Sequence, residues 1–356
     1  MNRERGIYSR IATIENCRAA VWEESRTQRA AQWADRKAGV SWREWMRENM
    51  DALAEVTLRR IEAGPTMQPL VEFRTFEAGK WRDVACPSRI DAILVRAVER
   101  VVEPLVYARL SEASYCPIPG KGSLRFARGV QRAIRRCEYE ATRWNKKHPA
   151  SRHARHTVVL QMDIRHFFPS IRAGDALAAL GSVIDDIRVL GIYEAFLTDY
   201  GKVPIGAGFS AMLANVLLSP LDRIIEAMPE VCRYFRYMDD MVVVLTSKAK
   251  ARKVREEIEK WLNGHGMTME RKWSVYRPHM HPVNVGGYKA RPCGIYPGQR
   301  VSRHINRLMS RPAKALSDAA KLALGSLYGW IKTSDSYGFK EKWRKYDGKK
   351  DIFSCR

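Results

Sequence analysis

RYFRYMDDMVVVL, residues 233–245, is the stretch on which the fold turns. Aromatic residues lead into the acidic pair Asp239-Asp240, and an apolar, mostly β-branched run carries the chain away. That pattern predicts two strands joined by a tight turn, with Asp239 at the hairpin tip. A carboxylate set in an apolar sheet is costly unless its charge is compensated. Further upstream HTVVLQMDI, residues 156–164, reads as a buried strand ending on a third acid, Asp163, and NVGGYKA at 284–290 is a shorter strand pattern. Helical spacing over 173–180, 210–227 and 248–264 lies between them, which predicts an α+β sandwich with helices on one side of the sheet.

An acidic pair alone says little. Asp185-Asp186 in SVIDDIRVL, 182–190, reads as a solvated helix or turn and is given no role. Asp239-Asp240 differs in its aromatic approach, its following β run and its distant partner Asp163. Hard oxygen donors of this kind suit Mg²⁺, which keeps some waters and accepts substrate phosphates as further ligands. Two such ions about 3.5–4 Å apart can activate a 3′-hydroxyl and stabilise a leaving pyrophosphate.

The 356 residues suggest two or three domains or subdomains, and 46% hydrophobic content excludes wholesale disorder. The net charge of +23 points to a polyanionic partner, since every phosphate neutralised releases counterions; a basic surface kept for solubility is the blander alternative. No apolar run approaches a membrane span, and MNRERGIYSR lacks the apolar core of a secretory signal, so the expected address is cytoplasmic. The cysteines (Cys17, Cys86, Cys116, Cys137, Cys232, Cys293 and Cys355) are scattered singly and read as reduced thiols. His148, His153 and His156, in NKKHPASRHARH, read as an exposed basic loop rather than a metal site.

Towards the N-terminus, WREWMRENMDALAEVTLRRIEAG (42–64) has helical spacing that Gly64-Pro65 ends. LVEFRTFEAGKWRDVAC (70–86) predicts a hairpin turning at Ala78-Gly79. A helix is expected from Ser88 to Ala113, broken at Pro104. Residues 121–156 hold eleven Lys/Arg against two Glu; Arg125, Arg128, Arg132 and Arg135 recur at helical spacing opposite Leu124, Ala127, Val130 and Ile134. One helix with a cationic face fits both stripes, and a phosphate backbone is its natural ligand. Residues 289–356 carry sixteen Lys/Arg against five Asp/Glu and are expected to be helical.

YMDD at 237–240 resembles the catalytic hairpin of reverse transcriptases. QMDIRHFFPSI (161–171) resembles their first palm motif, and VPIGAGFSAMLANVLLSPLD (203–222) their third, in the family's order and spacing. RDVACPSRIDAILVRAVERVVEPL (82–105) is similar to the fingers of bacterial and group II intron-type enzymes, with Arg82, Pro87 and Asp91 at matching intervals. SYCPIPGKGSLRFA (114–127) stands where that family has a Gly-rich turn, NVGGYKA resembles the primer-grip hairpin, and SLYGWIKTSDSYGF (326–339) resembles a thumb segment of retrons and diversity-generating retroelements. The likeness spans roughly 60–345.

The resemblance implies a right-hand polymerase: an N-terminal helical extension over 1–62, fingers over 63–157, palm over 158–290 with fingers insertions, and a basic helical thumb over 291–356. It implies that Asp163 and Asp239 bridge two Mg²⁺, that Asp240 assists, and that the Ile164 carbonyl completes a coordination shell. Phe168 falls at the position whose ring excludes a ribose 2′-hydroxyl. The deoxynucleoside triphosphate would be held by Lys80 and Arg82, with Gly206 allowing close approach, Ser210 capping a helix, and Lys272 or Arg271 giving a proton to pyrophosphate. Gly286, Gly287 and Tyr288 would meet nucleic acid. The expected partners are an RNA template or structured noncoding RNA, its cDNA, dNTPs, and an accessory protein or second copy. Three features depart from the common pattern: Ile205 stands where Gln is usual, Ala211 where Pro or, in diversity-generating enzymes, Gln follows the Ser, and the Gly-rich turn lacks the Arg often found there. An antiphage-defence enzyme with its own noncoding RNA is therefore preferred over a mutagenic retroelement enzyme. A non-catalytic RNA scaffold and tyrosine-primed synthesis are the remaining alternatives. Nothing after the thumb resembles an RNase H, maturase or HNH module.

Overall fold

The computed structural model describes residues 5–27, 41–64, 66–77, 79–151, 154–198 and 200–347, with Lys349 and Ile352. Pro65, Ala78, His153 and Cys355 lie outside the described residues. The chain forms two compact units, one from residues 1–111, 165–221 and 262–268, the other from 112–164, 222–261 and 269–356.

The first unit opens with helices α1 (Tyr8–Ile11), α2 (Ile14–Ser25), α3 (Trp42–Glu48) and α4 (Met50–Glu62). α3 starts on a capping box: Ser41 Oγ accepts from the Glu44 amide, and the Glu44 carboxylate accepts from the Ser41 amide. Next come the antiparallel pair β1 (Val71–Glu77) and β2 (Lys80–Cys86), then α5 (Arg89–Tyr107). Asp91, fully buried, ties these together by accepting from Arg60 (2.5 Å), the Gln68 amide (3.1 Å) and Ser88 Oγ (2.8 Å). The expected break at Pro104 does not occur. The helix runs on to Tyr107 because Val102 and Val106, both fully buried, hold the last turn in the core despite the missing N–H.

The acidic pair at 185–186 also departs from expectation. Asp186 is buried rather than solvated, drawn in between the core residues Ile184 and Val189, and its carboxylate accepts from the Tyr8 amide at 2.9 Å. Asp185 pairs with Arg5 at 3.0 Å, so the two acids anchor the N-terminal segment.

In the second unit the long helix α6 (Ser123–Lys147) packs on a four-stranded antiparallel sheet. The strands are β3 (Val158–Met162), β4 (Val231–Tyr237), β5 (Asp240–Leu245) and β6 (Ser274–Tyr276), in the order β4-β5-β3-β6. Phe126, Ala127, Val130 and Ile134 of α6 meet Val159, Phe235, Val242 and Val244. The alternate residues Leu160, Met162, Met241 and Val243 are buried as well. With both faces covered, β5 must be apolar from Met241 onward, which is why 241–245 reads as an unbroken run.

A second antiparallel sheet, β7 (Val283–Val285), β8 (Tyr288–Arg291) and β9 (Gly294–Pro297), joins the same core. The basic C-terminal region is therefore helical only from residue 299, not from 289. There α12 (Gln299–Met309), α13 (Asp318–Thr333) and α14 (Tyr337–Lys345) enclose a core of Ile305, Leu308, Leu324, Ile331 and Trp343. Among the described residues no helix is long and apolar enough to cross a membrane.

Candidate active site

Tyr237 pairs with Asp240 across β4 and β5, which leaves only Met238 and Asp239 in the turn. Met238 takes φ 58, the left-handed region, at a cost of about 1–2 kcal/mol for a residue with a side chain. The turn is held from below by Arg236, which is fully buried and donates to the Met238 carbonyl at 3.2 Å. Its guanidinium also makes a two-pronged pair with the equally buried Asp222, at 2.8 and 2.6 Å, and Tyr234 donates to the same carboxylate at 3.0 Å. Asp222 stands in the last turns of α10 (Phe209–Ala227). The outer edge of β4 is closed by residues 113–115: the Arg236 amide donates to the Ala113 carbonyl, and the Tyr115 amide to the Arg236 carbonyl.

Asp163 directly follows β3, and the pairing of Met162 with Met241 sets it beside the turn. Its carboxyl is hydrogen-bonded to that of Asp239. A neighbouring negative charge makes a second one costlier to hold. Burial, and then the Asp239 charge, push Asp163 up to about 6. Asp240 is raised to about 7, chiefly by burial, with a hydrogen bond from Gln161 opposing the rise.

Gln161 is a residue the sequence did not single out. Its Nε2 donates to Asp240 Oδ1 (3.3 Å) and to the Asn284 carbonyl (2.7 Å), and its Oε1 accepts from Tyr276 (2.9 Å). It thus links the acidic site to β7. The signal was an amide in an otherwise apolar strand, two residues before Asp163 and so on the same face. Tyr237 is placed similarly, its ring 5.5 Å from Phe126 and its hydroxyl donating to the Cys116 sulfur.

Among the described residues no three His, Cys, Asp or Glu side chains already form a metal-holding group: Asp163 and Asp239 face each other, while Asp240 is tethered to Gln161. The donor set nevertheless fits a hard divalent cation. Such an ion would take the place of the proton that the raised Asp163 carboxyl holds, with water and phosphate supplying the other ligands.

A pH dependence follows. Both raised carboxyls favour folding when protonated, so their contribution is fully present below the unfolded carboxylate range near 4 and is lost as pH rises through 6 to 7. Without divalent ions, Asp240→Asn should stabilise the protein at pH 8 by about 1–2 kcal/mol, a discounted share of the shift because the side chain keeps some solvent contact. Thermal unfolding at pH 5 and pH 8 measures this; an unchanged difference between variant and wild type contradicts it.

The other sequence-predicted residues divide between the units. In the first, Gly206 (φ 108) is needed for close approach, but what approaches is β2: a Cβ there would lie 2.5 Å from Val84 and 2.9 Å from Cys86. Lys80 and Arg82 are exposed and share the hairpin face of Val84 and Cys86, which is turned to Gly206. The paired phenylalanines lie in a single helical turn, α7 (Phe167–Ser170), not in a strand; Phe167 is buried and Phe168 half-buried. Ser210 is not a cap. α10 begins at Phe209, whose ring packs on Tyr193 and Phe196, and the buried Ser210 hydroxyl has no partner among the described residues.

In the second unit, Ile164 is buried and bridged to Met269, and Lys272 is exposed before β6. Arg125, Arg132 and Arg135 are exposed on α6, but Arg128 is committed internally, with both terminal nitrogens on Asp335 (2.5 and 3.0 Å) and one on the Thr333 carbonyl (3.0 Å). Tyr288, expected at nucleic acid, is a core residue, buried against Trp330 with its hydroxyl on Thr333. The β7–β8 turn is packed too: a Cβ on Gly286 would meet Ser123 at 2.8 Å, and one on Gly287 would meet Trp330 at 2.6 Å.

A family model described as reverse transcriptase (RNA-dependent DNA polymerase) matches residues 72–289. Among solved structures, the telomerase of Candida albicans in complex with a fragment of telomeric RNA is similar, at 10% identity and a TM-score of 0.46, over 83% of this chain and 64% of that one. No curated protein matches the chain.

Proposed function

The chain belongs to the reverse transcriptase family, and from that premise we propose that it is an RNA-directed DNA polymerase whose nucleotide-joining centre is Asp163, Asp239 and Asp240. The observation that carries this reading is the contact between the Asp163 and Asp239 carboxyls, brought from separate strands to the mouth of one hairpin. Divalent ions, two Mg²⁺ on this reading, would supply positive charge where an incoming triphosphate and a primer 3′-hydroxyl must meet. The chain's own contribution is placement. Asp163 and Asp239 bind the ions, Gln161 keeps Asp240 aimed, and the Ile164 carbonyl offers a further oxygen. Lys80 and Arg82 hold the triphosphate, and Lys272 is the proton donor to pyrophosphate.

Phe168 sets the choice of sugar. With an RNA template and DNA primer, wild type should add deoxynucleotides and reject ribonucleotides, and Phe168→Ala should relax that preference by about 10²-fold or more, as loss of a steric block does. Single-nucleotide incorporation kinetics test this; equal rejection of ribonucleotides by both proteins removes Phe168 from the role. An RNA template, a cDNA product and an accessory protein or second copy are the partners this reading implies.

The finer assignment, a defence enzyme working with its own structured noncoding RNA, is supported by Ala211, where diversity-generating enzymes usually carry Gln. Sequencing the nucleic acids that co-purify with the protein checks it. One structured RNA with its complementary DNA is the expected result, and mutagenised copies of a template would favour the diversity-generating alternative.

A further inference from the structure

The expected cationic helix is α6, and its outer face carries more than charge. At about 100° per residue, Arg125, Arg132, Arg136, Tyr139 and Arg143 fall within one narrow stripe about 27 Å long, opposite the buried arc of Phe126, Val130, Ile134 and Cys137. Tyr139 is 68% exposed in the C-terminal half of that stripe, with an arginine about one turn away on either side. Arg136 pairs with Glu140 at 2.8 Å, whereas neither Arg132 nor Arg143 has an acidic partner among the described residues. A face kept only for solubility gains nothing from an exposed ring. Arginine forks around an unpaired aromatic match a strand that offers phosphates on one side and bases on the other.

We infer that this stripe docks a single-stranded stretch of RNA, with arginines on its phosphates and one base stacked on Tyr139. The inference rests on the polymerase reading and adds to it a holding surface on a helix face that carries none of the active-site carboxylates. Duplex RNA would satisfy the arginines but leave the ring unused, so an unpaired segment is the occupant.

The test measures binding of a labelled oligouridylate of about 30 nucleotides to the full chain across a range of KCl. Arg132→Gln with Arg143→Gln should flatten the plot of log affinity against log salt by about 1.4, two phosphate contacts on a single strand. Tyr139→Ala should weaken binding about 5- to 100-fold with the salt slope unchanged, and Tyr139→Trp should restore it. Thermal unfolding confirms that each variant is folded. Variants that bind with wild-type affinity and slope overturn the proposal. A flattened slope with no effect of Tyr139→Ala overturns the single-strand assignment. Templated extension by the wild type is read separately: if it proceeds while the stripe variants bind normally, only the stripe fails, and if it is absent while the stripe binds, only the polymerase reading fails.

Discussion

Asp239→Ala should abolish templated DNA synthesis, lowering its rate by about four orders of magnitude, which is about 5 kcal/mol of lost transition-state stabilisation. Asp239 stands in a two-residue turn between strands fixed by seven- and six-residue runs, and its carboxyl faces that of Asp163. No other side chain at the turn can replace it. Asp163→Ala should be as damaging, and the double variant little worse than either, because groups that act as one unit do not add. Neither change should unfold the protein. Removing one of two crowded acids relieves repulsion, so the melting temperature without divalent ions should stay or rise. Primer extension alongside thermal unfolding measures both effects. A variant retaining a tenth of wild-type synthesis would remove Asp239 from the chemistry.

The second large effect lies beneath the hairpin. Asp222→Ala leaves the Arg236 guanidinium fully buried without its anion, and breaking such a pair costs about 3–5 kcal/mol. A chain of this size should lose about 4–7 °C in melting temperature. Adding Arg236→Met should recover much of that stability, since an apolar pair can replace a buried ionic one. It should not recover synthesis, because the bond from Arg236 to the Met238 carbonyl, which steadies the left-handed turn, is gone. A double variant as active as wild type would show that the ion pair serves stability alone.

The parts of the fold written in short-range pattern were legible. The β4–β5 turn was readable because aromatics, two acids and a β-branched run stand consecutively, and the apolar stripe of α6 because Ala127, Val130 and Ile134 repeat at helical steps. Asp163 was legible as a candidate from its strand, and its contact with Asp239 is what the β3–β5 register adds. What escaped depends on partners remote in sequence. Arg236 looks like one more basic residue until Asp222 is found against it. Arg128 and Arg132 are equivalent in spacing, yet Asp335 claims only Arg128. Tyr288 sits in a Gly-rich hairpin like one offered to a ligand, but Trp330 and Thr333 cover it. Gly206 was read as a close-approach residue for a ligand, and the strand that does lie against it, β2, is announced by nothing local to 203–222.

Asp163 and Asp239 together should hold a divalent cation. Mn²⁺ stands in for Mg²⁺ with a paramagnetic signal, so its binding to the full chain at pH 8 can be followed directly by electron paramagnetic resonance. Wild type should take up Mn²⁺, Mg²⁺ should displace it, and Asp163→Asn and Asp239→Asn should each weaken uptake about tenfold or more. Undiminished uptake by both variants, or none by the folded wild type with primer, template and nucleotide present, would contradict it.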